Sequence, residues 1–118
     1  MAKERNKKKA NRARVKKLKK ELEAWEKEHK QRANLLEADV LQKLGFISRH
    51  IKKGGKAIEY YRKAHDMLKK VEPSPEHKIG EVLQAMGTAS QIAGKYEVAS
   101  EKYTEAFRTL TKVLDGKN

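Results

Sequence analysis

Several things are scarce in this chain, and each scarcity closes a door. The 118 residues include no cysteine, which removes disulfides and thiolate metal sites from consideration. With two prolines and seven glycines, there are few points at which a helix is forced to stop. No apolar run approaches the roughly 18 residues of a membrane-spanning helix. The N-terminus carries no apolar core of a secretory signal, so the expected setting is intracellular and soluble: cytoplasmic or cytoskeletal (a cilium or axoneme included), with the nucleus as an alternative. Acid is missing from one place in particular. Residues 1–20 hold eleven Lys or Arg against a single acid, Glu4, for a net +10, whereas residues 21–118 hold 18 basic and 15 acidic residues, for a net +3. A block of like charge at one end of an otherwise balanced chain reads as an interaction arm.

What is present is an internal echo. Residues 41–64 (LQKLGFISRHIKKGGKAIEYYRKA) align without a gap on residues 83–106 (LQAMGTASQIAGKYEVASEKYTEA), an offset of 42. Gly45 falls over Gly87, Ala57 over Ala99, Tyr61 over Tyr103 and Ala64 over Ala106. A constant period of this size signals a stacked repeat rather than a closed enzyme fold, and through that fold an interaction role; it supports no reaction.

Read in order, residues 1–14 have no apolar face and are expected to be disordered in isolation, with a polyanion able to order them as helix. Val15, Leu18, Leu22 and Trp25 are spaced by 3, 4 and 3, which places them on one helical face. Residues 15–36 thus form an amphipathic helix, a candidate cap on the repeats; either one long helix runs on into the repeats or, as favoured here, a break falls near Gln31–Asn34, where Asn34 is the available cap residue. The first unit, residues 37–72, comprises a helix over Ala38–Ile51, a turn at Lys52–Gly55 whose paired glycines supply positive φ, and a helix over Lys56–Val71. Glu72-Pro73-Ser74-Pro75 breaks the chain, with Ser74 as the expected cap. The second unit, residues 76–115, comprises helices over Glu76–Ala93 and Tyr96–Leu114, with a turn at Gly94-Lys95 and an exit at Gly116. The aromatics Tyr60, Tyr61, Tyr96, Tyr103 and Phe107 follow helical spacing and are expected in the core. The last helix has no partner following it. The fold class is all-α: antiparallel helix hairpins of a short solenoid preceded by a basic amphipathic helix.

Leu41, Leu44-Gly45, Ala57, Tyr61 and Ala64, repeated as Leu83, Met86-Gly87, Gly94, Tyr96, Ala99, Tyr103 and Ala106, resemble the tetratricopeptide repeat (TPR) pattern of a large-residue, Leu-Gly, small, aromatic, small series. The resemblance covers about two-thirds of the chain. The period of 42 exceeds the usual TPR length of about 34, and the long variant is similar to the repeats of kinesin light chains and related cytoskeletal adaptors. Repeat one carries its glycines, Gly54-Gly55, slightly late for the usual turn.

By that resemblance the partner groove is lined by Asp39, Gln42, Phe46, Arg49 and His50, then Glu81, Gln84, Thr88, Gln91 and Ile92. Phe46 and Thr88 stand where a carboxylate-binding TPR would want asparagine, so a clamp for acidic C-termini does not fit. The candidate polyanion-binding residues are Lys3, Arg5, Lys7, Lys8, Lys9, Arg12, Arg14, Lys16, Lys17, Lys19 and Lys20. Wound as a helix they surround the axis, which suits an anionic environment better than sequence readout. His29, His50, His65 and His77 share no spacing of three or four, so no helical metal pair is formed, and no cofactor or catalytic site is expected. The functional expectation is a non-enzymatic scaffold subunit of a large assembly. Its repeats dock a protein partner and its tail anchors it to a polyanionic lattice, the acidic tubulin surface of a microtubule or axoneme being favoured. The alternative is a ribosome- or RNA-associated protein whose tail binds RNA phosphates.

Overall fold

The computed structural model describes residues 2–116, and the side chains of residues 4–116. The chain is all-helical among these residues, with four helices: α1 (Ala2–His50), α2 (Gly54–Lys69), α3 (Glu76–Ile92) and α4 (Tyr96–Leu114). Two compact units divide it, residues 1–32 and residues 33–118.

In the first unit, residues 2–32 are helical, so the segment 1–14, expected to be disordered in isolation, is wound from Ala2 onward. Lys, Arg, Ala and Glu are good helix formers, and helix propagation is far easier than nucleation once a downstream turn exists. The break expected at Gln31–Asn34 is also absent, because α1 runs through it. A capping residue only offers an alternative to the helix, and Asn34 stands among Ala33, Leu35 and Leu36, with no glycine or proline to force a turn.

In the second unit, α2 packs on α3 and α3 on α4. The core combines Ala38 of α1 with Ala57, Ile58, Tyr61, Ala64 and Leu68 of α2, Ile79, Val82, Leu83, Met86 and Ala89 of α3, and Ala106 of α4. Alanines are frequent because antiparallel helices approach closely there.

The 42-residue echo is a geometric repeat. A side chain on Gly45 would begin 2.7 Å from the Tyr61 ring, and one on Gly87 would begin 2.7 Å from the Tyr103 ring. In each repeat the tyrosine of the second helix lies on the bare backbone of the first. The intervening turns repeat bond for bond: Lys53 N–H donates to Ser48 O and Lys95 N–H to Ser90 O, both at 2.8 Å. Ser48 and Ser90, 42 apart, are both buried beneath these turns.

The first turn corrects the expectation drawn from the paired glycines. Its positive φ falls on Lys52 (φ 60), the counterpart of Gly94 (φ 77), while Gly54 and Gly55 open α2. Gly54 serves close approach instead: a Cβ there would lie 2.9 Å from both Ala89 O and Ala93 N. A lysine in the left-handed region is strained by about 1 kcal/mol. Lys52→Gly is therefore expected to stabilise the chain by about 0.5–1 kcal/mol, read as a higher urea midpoint with unchanged slope.

Other local expectations shift for similar reasons. Ser74 does not cap α3: Pro75 occupies that position without a side-chain cap, and the Ser74 hydroxyl donates to the Glu76 carboxylate at 2.8 Å. Of the aromatics expected in the core, Tyr61 is buried, Tyr60 and Tyr103 are half-buried, and Tyr96 and Phe107 are exposed. α4 has one face on α3, and its other face, which also carries Leu114, is covered by no other described helix and is open to solvent.

Candidate docking groove and basic helix

α1 and α3 flank a cavity of about 690 Å³ with α2 behind it. Asp39, Gln42, Phe46 and Arg49 line it from α1, four of the ten groove residues expected from sequence. Tyr61 of α2 and Ala85 of α3 complete it, together with Lys43 and Ile47. Sequence reasoning missed these four. Tyr61 was assigned to the core alone, yet it both packs against Gly45 and faces the cavity. Ala85 carries no chemical signature; its place follows from the turn of α3. Burial raises the Tyr61 phenol pKa above its ordinary value, with the positive charge of Arg49 opposing the shift.

Arg49 joins this cavity to a second one of about 580 Å³, lined also by His50, Lys52, Thr88 and Ile92. The Arg49 guanidinium carbon lies 5.1 Å from the Phe46 ring centre, a cation–π distance. The His50 ring is 4.0 Å from the same phenylalanine. His50 Nδ1 lies 2.9 Å from Phe46 O, which makes it the proton-bearing nitrogen of the neutral ring. Two rings and a guanidinium thus form an aromatic, cationic wall.

The remaining expected groove residues divide. Glu81 and Gln84 are exposed on α3 and line neither cavity. Gln91 belongs with α4: its Oε1 accepts from the Tyr103 hydroxyl at 3.1 Å, and that hydroxyl lies 2.9 Å from Thr88 Oγ1. In the first repeat the position of Thr88 is held by Phe46, which has no hydroxyl to offer the Tyr61 counterpart of Tyr103. That one difference makes the two halves of the surface chemically unlike.

In residues 1–32 the geometry is simpler. Arg5, Lys7, Lys8, Lys9, Arg12, Arg14, Lys16, Lys17, Lys19 and Lys20 are all exposed and, at 100° per residue, surround the helix axis. Lys3 lies outside the described side chains. Val15, Leu18, Leu22 and Trp25 are 50–60% exposed. Trp25 stacks on His29, with ring centres 5.1 Å apart and planes 7° from parallel. Glu28 pairs with Arg32 at 2.7 Å, a one-turn ion pair worth a few tenths of a kcal/mol.

Among the described residues no group of three or more His, Asp or Glu side chains is placed to hold a metal ion. His65 has its pKa lowered, first by burial and then by Lys69 and Lys102, with Asp66 and Glu105 opposing. No helix among the described residues is long and apolar enough to cross a membrane. These features define a class by form: an all-helical chain with a 42-residue duplicated hairpin and a basic helical arm. Comparison with protein-family models, with curated proteins and with solved structures finds no match for the chain.

Proposed function

We propose that this chain is a non-enzymatic scaffold subunit of a larger assembly, built from two TPR-like hairpins. Its helical arm over residues 1–20 anchors it to a polyanionic lattice, the acidic surface of a microtubule being favoured, and the groove between α1 and α3 docks a protein partner. The observation that carries the reading is the segregation of charge onto an exposed helix. The net +10 of residues 1–20 includes a single acid, Glu4, and the described basic side chains, Arg5 to Lys20, point in every direction around the axis. Such a surface binds a field of negative charge rather than one defined ligand, and its affinity falls steeply with salt as counterions are no longer released. The groove supplies the second half. Phe46, Ile47, Tyr61 and Ala85 offer apolar contact, while Asp39, Gln42 and Arg49 offer hydrogen bonds that fix orientation, the mixture found in docking clefts.

The test is co-sedimentation of the full chain and of a chain lacking residues 1–20 with microtubules across a salt series. Loss of residues 1–20 is expected to weaken binding tenfold or more at low salt and to flatten the salt dependence. Equal binding by both chains would sink the anchoring role. Tight, salt-sensitive binding to RNA with none to microtubules would transfer the arm to the RNA-associated alternative.

A further inference from the structure

The exposed stripe Val15, Leu18, Leu22, Trp25 is short, and the charges beside it are sorted by sign along the helix. With Val15 and Leu22 at one seam position and Leu18 and Trp25 at the other, the flanking residues are Arg14, Glu21 and Glu28 on one side and Arg12, Lys19 and Glu26 on the other. Each flank is basic at its N-terminal end and acidic at its C-terminal end. We propose that residues 11–29 pair with the same residues of a second copy of this chain as an antiparallel two-helix coil.

Charge decides the occupant and its direction. In an antiparallel pair, residues of like flank face one another. Arg14 then meets Glu28 of the second copy and Arg12 meets Glu26, each twice by symmetry. The like pairs, Lys19 with Lys19 and Glu21 with Glu21, occur once each, on opposite flanks near the axis. A parallel pair in register would set Arg14 against Lys19 and Glu21 against Glu26, like charges throughout. Direction also governs the tails. Antiparallel packing holds the two Arg12 positions 16 residues apart along the coil, about 24 Å at 1.5 Å per residue. That is beyond the Debye length of about 8 Å at physiological salt, so the two basic ends project from opposite ends of the coil. Parallel packing would press one +10 segment against the other.

The apolar layers agree with this register. Leu18 packs on Leu22 of the second copy, and the small Val15 packs on the large Trp25. The next layers outward pair Asn11 with His29 and then Lys8 with Arg32, so the seam ends in a polar layer and is closed beyond it by like charge. Glu28 is already bonded to Arg32 through one oxygen, and its second oxygen can accept Arg14. The seam spans about two and a half heptads, so the pair is weak by itself and rises in importance where copies are held close together.

Sedimentation equilibrium of the full chain from about 10 µM to about 1 mM, the range of weak association, is expected to show a monomer–dimer equilibrium. Arg12→Glu/Arg14→Glu and Glu26→Arg/Glu28→Arg are each expected to weaken it tenfold or more, and mixing the two variants restores it. Because the chain has no cysteine, introduced thiols report direction. An oxidised mixture of Val15→Cys and Trp25→Cys chains is expected to cross-link between the two kinds. Val15→Cys alone stays uncross-linked, since the two residues would be about 15 Å apart, more than twice the reach of a disulfide. Circular dichroism of each variant controls for loss of helix. A chain that remains monomeric throughout, or Val15→Cys cross-linking alone as fast as the mixture, overturns the proposal.

Discussion

Tyr61→Ala is expected to cost about 3–5 kcal/mol of stability, the range for removing a large buried aromatic side chain. Tyr61 is 3% exposed and sits where α1, α2 and the cavity meet. Its ring lies against Gly45, which has no side chain to move into the space left behind. A cavity term then adds to the lost transfer energy. Tyr61→Phe keeps the ring and should retain most of the stability. Tyr103→Ala, at the equivalent point of the second repeat, should cost about half as much, because Tyr103 is only half-buried and the apolar area lost is smaller. Urea unfolding provides the measurement, with an unchanged slope showing that only stability has moved. A cost for Tyr61→Ala below about 1 kcal/mol, or equal costs at the two tyrosines, would contradict this account of the core.

Gly54→Val is expected to destabilise by about 3 kcal/mol, at the upper end of the range for overpacking. The obstacles around Gly54 are Ala89 O and Ala93 N, both backbone atoms, with the Ala93 methyl at 3.0 Å. Backbone within a packed helix end cannot rotate away as a side-chain tip can. Gly55, its sequence neighbour, would meet nothing within 4 Å, and its position in the first turn of α2 is open to solvent. Gly55→Ala should therefore stabilise by about 0.5–1 kcal/mol through helix propensity. Thermal unfolding of the two variants should move in opposite directions. The same direction for both would mean that the α2–α3 contact is looser than the close approach at Gly54 implies.

That pair of glycines marks how far the sequence could be read. The duplication, the all-helical class and the limits of α4 were legible because they rest on periodicity, and periodicity is a property of the chain alone. The turn at residues 51–53 was misread because two glycines in a row have two uses, positive φ and close approach, which composition cannot separate. The repeat itself held the answer: Gly94 aligns with Lys52, not with Gly54. Asn34 was overvalued for a related reason, since a cap residue permits a helix start without requiring one.

The site was legible in part. Asp39, Gln42, Phe46 and Arg49, named through the TPR resemblance, line one cavity together, as residues on one face of α1 can. Gln91 lies apart from it, bonded to the Tyr103 hydroxyl on another helix. Tyr96 and Phe107 keep the same spacing as buried residues, but among the described residues no helix covers them.

By itself, the sequence determined that the chain is helical, that the hairpin occurs twice, and where the positive charge lies. Each follows from local preference or from side-chain identity. Tertiary structure decided which glycine is a hinge and which a contact, which tyrosine is core, and which faces stay bare. Burial and close approach are relations between helices, and no single helix contains them.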